Sequence, residues 1–368
     1  MERDTDVFVI GGGPAGLAAA IAARKKGFRV IVADGAKPPI DKACGEGLLP
    51  DALSALGRLG VFIGAMGGSS VRGIRFLDGG ATADADFPNG RGLGVRRVVL
   101  HQKMMERASG CGVSFLWNTP VTGIDAKGVA AGGKRIRARW IIGADGSRSR
   151  VRRWSGLEEA TQEKQRFAFR RHYRVKPWSE WTEIHWGDAA QAYVTPVSNE
   201  EICVVLISAK ANMRFDEAPR EFPKLQRQIE RAPFQSSERG AITAMHGLKR
   251  VWRGNVALIG DASGSVDAIT GEGLCLSFCQ AFALADALEA GDLALYQRAH
   301  RRLCRRPTFM GNLMLLLAAK HSLRKHAMGV WEKAPHIFAR MLAFHVGAAS
   351  PWEMATSGAI LSWQFLTA

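Results

Sequence analysis

A glycine-rich turn close to the N-terminus constrains the fold of this chain more than any other feature. Residues 6–10 are a short run of apolar, mostly β-branched side chains, which is typical of a buried parallel strand. The sequence GGGPAG follows at 11–16, then a helical pattern over residues 17–26 and a second strand over 29–33. This order predicts a βαβ unit at the start of an α/β domain.

The small residues of that turn suit a pyrophosphate group. Gly11 permits the tight turn, Gly13 lets the backbone approach the phosphates, and Gly16 lets the helix pack closely on the strand. Asp34 ends the second strand, about twenty residues further on, where a carboxylate can accept hydrogen bonds from ribose hydroxyls. The unit therefore predicts a dinucleotide site, and by itself it does not distinguish FAD from NAD.

Two further turns each follow a buried strand. GADGS at 143–147 is followed by alternating arginines, and GDA at 260–262 is followed by TGEG at 270–273, where a helix is predicted to begin. A carboxylate at a strand end can bind a ribitol hydroxyl, and small residues at a helix N-terminus can approach a ring or a phosphate.

The three motifs, in this order and spacing, resemble the FAD-dependent aromatic hydroxylases typified by para-hydroxybenzoate hydroxylase. The resemblance covers roughly residues 5–290. It implies FAD, with NADH or NADPH as a reductant that needs no separate domain. It assigns Arg97 to the FAD phosphates, Asp145 and Gly146 to a motif linked to both nucleotides, and Asp261 to the ribitol and pyrophosphate. The predicted cofactor-binding residues are Gly11, Gly13, Pro14, Ala15, Gly16, Asp34, Cys44, Gly45, Arg97, Asp145, Gly146, Gly260, Asp261, Gly271, Glu272 and Gly273.

Two segments resemble another branch of the same superfamily, the geranylgeranyl reductases. These are ACGEGL at 43–48 and the run GDASGSVDAITGEG at 260–273. However, the YxWxFP signature of that branch is missing, because AYVTP stands at 192–196, and the WxWxIP signature of the flavin halogenases is missing as well.

The predicted fold class is therefore α/β: a Rossmann-type FAD-binding domain with an inserted antiparallel β-sheet substrate domain and a helical C-terminal tail. Residues 164–210 alternate with period two, which predicts a sheet with one buried face and one polar face. The predicted boundaries are 1–65, 95–160 and 250–295 for the discontinuous FAD-binding domain, 66–94 and 161–249 for the β-rich substrate domain, and 296–368 for the helical segment.

Three functions fit these motifs. The favoured one is an NAD(P)H-driven monooxygenase that hydroxylates an aromatic or polyketide-like small molecule. The alternatives are a reductase of isoprenoid double bonds and a flavoprotein that relays electrons to a partner or a quinone. Candidate catalytic residues are Cys44, as an acid or substrate contact over the flavin, and Tyr193 and His172 on the substrate sheet. Arg170 and Arg174 share a face with His172, and we expect a solvated strand face there, with binding of an anionic substrate as the alternative.

The chain is strongly basic, with 50 Lys and Arg against 34 Asp and Glu and a net charge of +16. No nucleic-acid motif accompanies this charge, so we expect no nucleic-acid partner. The cysteines form no CxxC pair, and we predict no metal site and a cytoplasmic protein. The basic tail from Arg301 to Phe344 is expected to pack on the FAD-binding domain. Alternatively it lies on the inner face of a membrane or caps the pocket, and the substrate would then be a prenyl quinone or an alkylated phenol.

Overall fold

The computed structural model describes residues 3–64, 67–125, 128–159, 165–211, 213, 215 and 221–350. The last part of the predicted helical tail, residues 351–368, lies outside this range. The strands are β1 (Thr5–Ile10), β2 (Val30–Ala33), β3 (Gly47–Leu48), β4 (Ser69–Val71), β5 (Gly73–Asp78), β6 (Ala81–Asp86), β7 (Gly92–Gly94), β8 (Ser114–Leu116), β9 (Val121–Asp125), β10 (Gly128–Ala131), β11 (Lys134–Ile136), β12 (Ala138–Gly143), β13 (Arg166–Arg174), β14 (Thr182–Trp186), β15 (Ala190–Ser198), β16 (Glu201–Ser208), β17 (Arg239–Thr243), β18 (His246–Gly247), β19 (Trp252–Arg253), β20 (Val256–Leu258) and β21 (Gly264–Ser265). The helices are α1 (Pro14–Lys25), α2 (Pro50–Leu59), α3 (Arg97–Gly110), α4 (Arg150–Trp154), α5 (Pro223–Ile229), α6 (Gly273–Ala290), α7 (Leu293–Ala319), α8 (His321–Lys333) and α9 (Pro335–His345).

A mostly parallel sheet organises the first domain, with strand order β19-β20-β12-β1-β2-β8. Its central strands are apolar on both faces: Val7 and Val9 pack toward α1 and α6, while Phe8 packs with Ile141 on the other face. The strands β20, β12 and β1 are neighbours and run parallel. The turns that follow them are the three motifs of the sequence, so all three lie at one edge of the sheet, where ligands bind in open α/β sheets.

A second, mainly antiparallel sheet has the order β17-β13-β16-β15-β14-β5-β6, in which only β14 and β5 are parallel neighbours. The expectation of one polar face is wrong for its central strands. β15 is buried up to its last residue and β16 is buried after its first. One face packs on the C-terminal helices, and the other is covered by a cluster that includes Met213, Phe215 and Phe222.

The C-terminal helices pack differently from the sequence expectation. α7 contacts α6 of the first domain, but α8 and α9 lie on β5 and β6 of the second sheet. The ring centroids of Phe76 and Phe338 are 4.9 Å apart, and those of Trp331 and Phe338 are 5.2 Å apart. Aromatic burial of this kind stabilises the helices on the substrate sheet, which the alternating pattern of the sheet did not predict.

One helix in the described residues, α6, is long and apolar enough to cross a membrane by length and composition alone. More than half of that window, 56%, is buried inside the protein, and α6 packs against α1, α2 and α7. Its burial is that of a core helix, which is apolar because neighbouring elements surround it.

Candidate active site

A cavity of about 360 Å³ connects the three motif turns with the second sheet and the C-terminal helices. Its walls at the motif end are small residues and charged side chains, and its walls at the far end are apolar. We call these the cofactor end and the substrate end.

Glycines at the cofactor end leave space for a large ligand. A Cβ atom added at Gly13, Gly45, Gly146, Gly271 or Gly273 would meet nothing within 4 Å, and all five residues line the cavity. Backbone without side chains, beside the N-termini of α1 and α6, is what a pyrophosphate and a flavin ring require. The residues present therefore fit FAD.

Gly11 and Gly16 have a different role, which is packing. A Cβ atom at Gly11 would lie 2.4 Å from the carbonyl oxygen of Ala144, and one at Gly16 would lie 1.9 Å from the carbonyl oxygen of Gly11. Gly11 also has a φ of 111°, which side chains rarely tolerate. These glycines let β1, β12 and α1 approach closely enough to form the turn.

The turn is locked by side chains on both sides. The amide of Gly12 donates to Asp34 Oδ2 at 2.7 Å, and Asp34 Oδ1 accepts from the amide of Ala36 at 2.8 Å. His101 of α3 lies with its Nε2 2.8 Å from the carbonyl oxygen of Gly12. Burial lowers the pKa of His101, so its neutral ring donates this hydrogen bond. No sequence motif pointed to His101.

Two opposite charges face the cofactor end. Arg97 begins α3 and lines the cavity, and its buried Nε has no hydrogen-bond partner among the described residues. A buried donor without a partner is costly, and a phosphate oxygen would satisfy it. Asp261 lines the cavity and is exposed to it. The protein around its carboxyl removes part of the hydration and so raises its pKa, and the charges of Arg97 and Lys42 oppose this.

Two predicted cofactor residues point elsewhere. Asp145 caps α4: its carboxylate accepts from the hydroxyl of Ser149 at 2.5 Å and from the amide of Arg150 at 2.7 Å. The side chain of Glu272 is buried against Arg306 and His345, at 3.3 and 3.4 Å, and burial raises the pKa of Glu272.

The neighbours of these two acids line the cavity in their place. The cavity walls include Gly146 and Ser147 after Asp145, and Gly271 and Gly273 on either side of Glu272.

The loop that carries Cys44 is held by a buried ionic network. Glu46 has a left-handed φ of 58°; its Oε1 accepts from the amide of Arg97 at 2.9 Å, and its Oε2 lies 2.6 Å from Nε2 of His172. Nδ1 of His172 lies 2.8 Å from a guanidinium nitrogen of Arg170. Because a guanidinium can only donate, Nδ1 accepts, and the imidazole proton is on Nε2 and is donated to Glu46.

Arg170 continues this network to the same loop. It is fully buried and forms an ion pair with Asp41 at 2.6 Å. Burial alone would raise the pKa of Asp41, but Arg170 and Arg239 lower it below its usual range. The expectation of a solvated strand face is therefore wrong for Arg170 and His172, which clamp the loop, and it holds for Arg174, which is exposed.

Only two of the three catalytic candidates line the cavity. Cys44 and Tyr193 do so, and the Tyr193 hydroxyl donates to the carbonyl oxygen of Ile269 at 3.0 Å. His172 lies behind Glu46, away from the cavity wall. Burial raises the pKa of Tyr193, so it is a neutral donor that positions the 3-10 turn before α6, and not a base.

The Glu46–His172 pair and Cys203 also have ligand atoms within 4.8 Å of one another, a spacing that suits a metal ion. Two observations favour an ion-pair network instead. The guanidinium of Arg170 already occupies Nδ1 of His172, and burial raises the pKa of the Cys203 thiol, which disfavours the thiolate that a metal needs.

The substrate end was missed by the sequence motifs because it is made from distant segments. The described side chains that line it come from the second sheet, from short segments outside its strands, and from α7 and α9: Leu49, Ile74, Phe76, Phe87, Ala168, Thr182, Ile184, Tyr193, Thr195, Val205, Ile207, Met310, Met314, Phe338, Met341, Leu342 and His345. His345 is the titratable side chain at this end besides Tyr193. Its Nε2 donates to the carbonyl oxygen of Thr270 at 3.0 Å.

A dinucleotide fold with a cavity that joins its turns to a second sheet defines a flavin-dependent oxidoreductase. Residues 4–291 match the family described as FAD binding domain. The chain belongs to this family and is an FAD-dependent oxidoreductase, as the resemblance to the aromatic hydroxylases implied.

Relatives and solved structures agree with this class. The chain is 27% identical to a menaquinone reductase of Mycobacterium tuberculosis over 80% of this chain and 79% of that protein. It is 33% identical to the ubiquinone hydroxylase UbiL of Rhodospirillum rubrum, over 42% of this chain and 40% of that protein. A flavoprotein/dehydrogenase from Cytophaga hutchinsonii has the same fold, with a TM-score of 0.81 at 20% identity, over 93% of this chain and 92% of that one.

Proposed function

We propose that this enzyme is an NAD(P)H-driven FAD monooxygenase that hydroxylates a lipophilic phenol or quinol, a ring that carries an apolar chain. The observation that carries this proposal is the single cavity that is polar and glycine-lined at the cofactor end and apolar at the substrate end. FAD, when bound, receives electrons from the nicotinamide and activates oxygen.

The substrate end supports a neutral, lipophilic substrate. None of the side chains named above for this end is Lys, Arg, Asp or Glu, and the polar ones are Thr182, Thr195, Tyr193 and His345. Asp267 also lines the cavity, and Arg166 neutralises it in an ion pair at 2.9 Å. A carboxylate buried there would have no counter-charge, which is strongly unfavourable. Phenylalanine, methionine and leucine side chains from α7 and α9 would instead bury an alkyl or prenyl chain.

The protein's part in this chemistry is modest. The apolar walls exclude water from the cofactor, which prevents its wasteful reoxidation. The clamped Cys44 loop and the sheet orient the ring. Tyr193 cannot serve as a base, because its hydroxyl is used by Ile269 and its pKa is raised. The ring nitrogens of His345 face the carbonyl oxygen of Thr270 and the carboxylate of Glu272. Because both side chains are engaged by the protein, the substrate must be electron-rich by itself, as phenols and quinols are.

The second candidate is reduction of an isoprenoid double bond. The observation that favours it is the match to menaquinone reductase, which covers about four fifths of both chains. In that reaction the thiol of Cys44, which lines the cavity, would be the proton donor to the reduced carbon.

The experiment uses the FAD-loaded protein and a panel of phenols, quinols and prenyl quinones with side chains of graded length. Each is incubated with NADH or NADPH under ¹⁸O₂, and oxygen uptake and product mass are measured. We expect substrate-dependent oxygen uptake and a product with one ¹⁸O atom. A product in which a carbon–carbon double bond has gained two hydrogens, without oxygen, would establish the reductase instead.

A substitution at Cys44 distinguishes hydroxylation from reduction of a double bond. Cys44→Ser is expected to leave hydroxylation within about twofold, whereas a reductase that uses Cys44 as its acid would lose about 100-fold or more. If FAD is reduced by the nicotinamide and reoxidised only by an added quinone carrier, with no modified product, then the electron-relay function replaces both.

A further inference from the structure

We propose that the exposed face of α7 docks the enzyme on an anionic lipid bilayer. The observation behind this proposal is a charge distribution: from Leu293 to Trp331 the chain contains no Asp or Glu, while Lys and Arg recur throughout. Arg306 and Arg324 are paired with acids of other elements, but Arg298, Arg302 and Arg305 are exposed and form no ion pair with the described residues.

These arginines lie between exposed apolar side chains along one stripe. Leu295, Phe309 and Leu316 are 39%, 50% and 46% exposed and are among the few large hydrophobic residues on the surface. With 100° per residue, they fall with Arg298, Arg302 and Arg305 in one narrow sector of the helix. We call these six residues the α7 stripe.

The composition of the stripe favours a bilayer over other anionic surfaces. A polyanion such as nucleic acid needs the cations but gains nothing from an exposed Phe and two exposed Leu. A helix that lies in the interface of an anionic membrane uses both, with apolar groups at the acyl boundary and arginines at the headgroup phosphates.

A basic pocket adjoins the N-terminal end of the stripe. It has a volume of about 600 Å³ and is lined by Arg250, Trp252 and Arg253 from the β19 region and by Arg298 and Arg301 of α7, with no acidic side chain among its described lining residues. Guanidinium groups bind phosphate with two hydrogen bonds, and tryptophan is enriched at the membrane interface. The pocket therefore fits a lipid headgroup phosphate.

A different face of α7, roughly 120° around the helix from the stripe, lines the substrate end of the cavity through Met310 and Met314. Docking of the stripe would thus bring the apolar cavity within about one helix diameter of the bilayer, roughly 10 Å. The docking surface stands on charge and exposure alone and does not depend on the reaction proposed above.

The test is flotation of the FAD-loaded full chain with vesicles, which needs no turnover. Vesicles of phosphatidylcholine with one third phosphatidylglycerol are compared with vesicles of phosphatidylcholine alone. We expect the wild type to float with the anionic vesicles only, and Arg298→Glu/Arg302→Glu/Arg305→Glu to bind about 100-fold more weakly or not at all. Phe309→Ser/Leu316→Ser should weaken binding about tenfold at unchanged charge.

The matched control is Lys224→Glu/Arg227→Glu/Arg231→Glu, which makes the same change in net charge at exposed residues in and just after α5. It should float like the wild type. Equal loss in the control, or full binding by the α7 variant, would overturn the proposal. So would a wild type that binds heparin but not anionic vesicles. Flavin absorbance and the melting temperature show that each variant is folded.

Discussion

The cofactor end of the cavity is made mainly of backbone, whereas the substrate end is made of side chains. At the cofactor end, glycines of three turns leave open space beside helix N-termini. At the substrate end, apolar side chains from the second sheet and two helices meet, although they are far apart in the chain. Backbone geometry demands particular residues at particular spacings, but an apolar wall accepts many combinations.

The largest effect is expected from a side chain added to the backbone wall of the cofactor end. In Gly13→Val the new side chain enters open space at the cavity wall, where FAD binds. We expect FAD affinity to fall about 100-fold or more, while the melting temperature of the apoprotein stays within a few degrees. Flavin fluorescence titration measures the first quantity.

Gly123→Val is its control, because Gly123 of β9 also has free space around it but lies outside the cavity lining. Unchanged FAD affinity in Gly13→Val would show that the turn does not contact the cofactor.

The next effect concerns the hydrogen bonds of Glu46, which hold the Cys44 loop between the two ends of the cavity. Glu46→Ala removes the acceptor of the hydrogen bonds from His172 and from the Arg97 amide, and leaving two buried donors without a partner costs about 3 kcal/mol of unfolding free energy. Glu46→Gly should cost about 1 kcal/mol less, because the left-handed φ of this position favours glycine. Urea unfolding of both variants measures the difference; equal stability of the two would mean that the backbone at residue 46 relaxes.

A smaller change narrows the substrate end alone. Ala168 of β13 lines the apolar cavity, and Ala168→Leu fills part of it. We expect KM for long-chain substrates to rise about fivefold, with about 1 kcal/mol lost from their binding. The rate of flavin reduction by the nicotinamide should stay unchanged, and it serves as the internal control. A parallel loss in that rate would show that the two ends are not separate.

The smallest expected effect is a pH dependence at Asp261. The raised pKa of Asp261 means that the folded protein disfavours the charged carboxylate. The stability that the protonated side chain contributes is therefore present at acidic pH and is lost as the pH rises through that pKa. Apo Asp261→Asn should therefore gain stability over the wild type as pH rises from about 4 to 7. Its FAD affinity should fall, because the amide replaces the carboxylate acceptor. Melting curves across pH test the sign, and a constant difference would contradict it.

The sequence by itself determined the cofactor end. The glycine turns, Arg97 and Asp261 could be predicted because each is a local requirement of a strand, a turn or a helix N-terminus, and they shape or line the cavity. The binding of a ribose by Asp34 stays a prediction, because its carboxylate accepts from the amides of Gly12 and Ala36 and lies outside the cavity lining. The same local signals gave a wrong expectation of where the side chains of Asp145 and Glu272 point. Both acids stand in the right motifs, but their carboxylates serve α4 and α9.

Only the tertiary structure determined which side chains line the substrate end and which side chains hold the Cys44 loop. Arg170 and His172 look like a polar strand face in the alternating pattern, and their burial depends on Glu46 and Asp41, more than a hundred residues earlier in the chain. Met314 and Phe338 belong to helices whose sequence shows amphipathicity but not the surface they cover. Period and composition specify which side of an element is buried, but the partner is chosen by packing between segments that are distant in sequence.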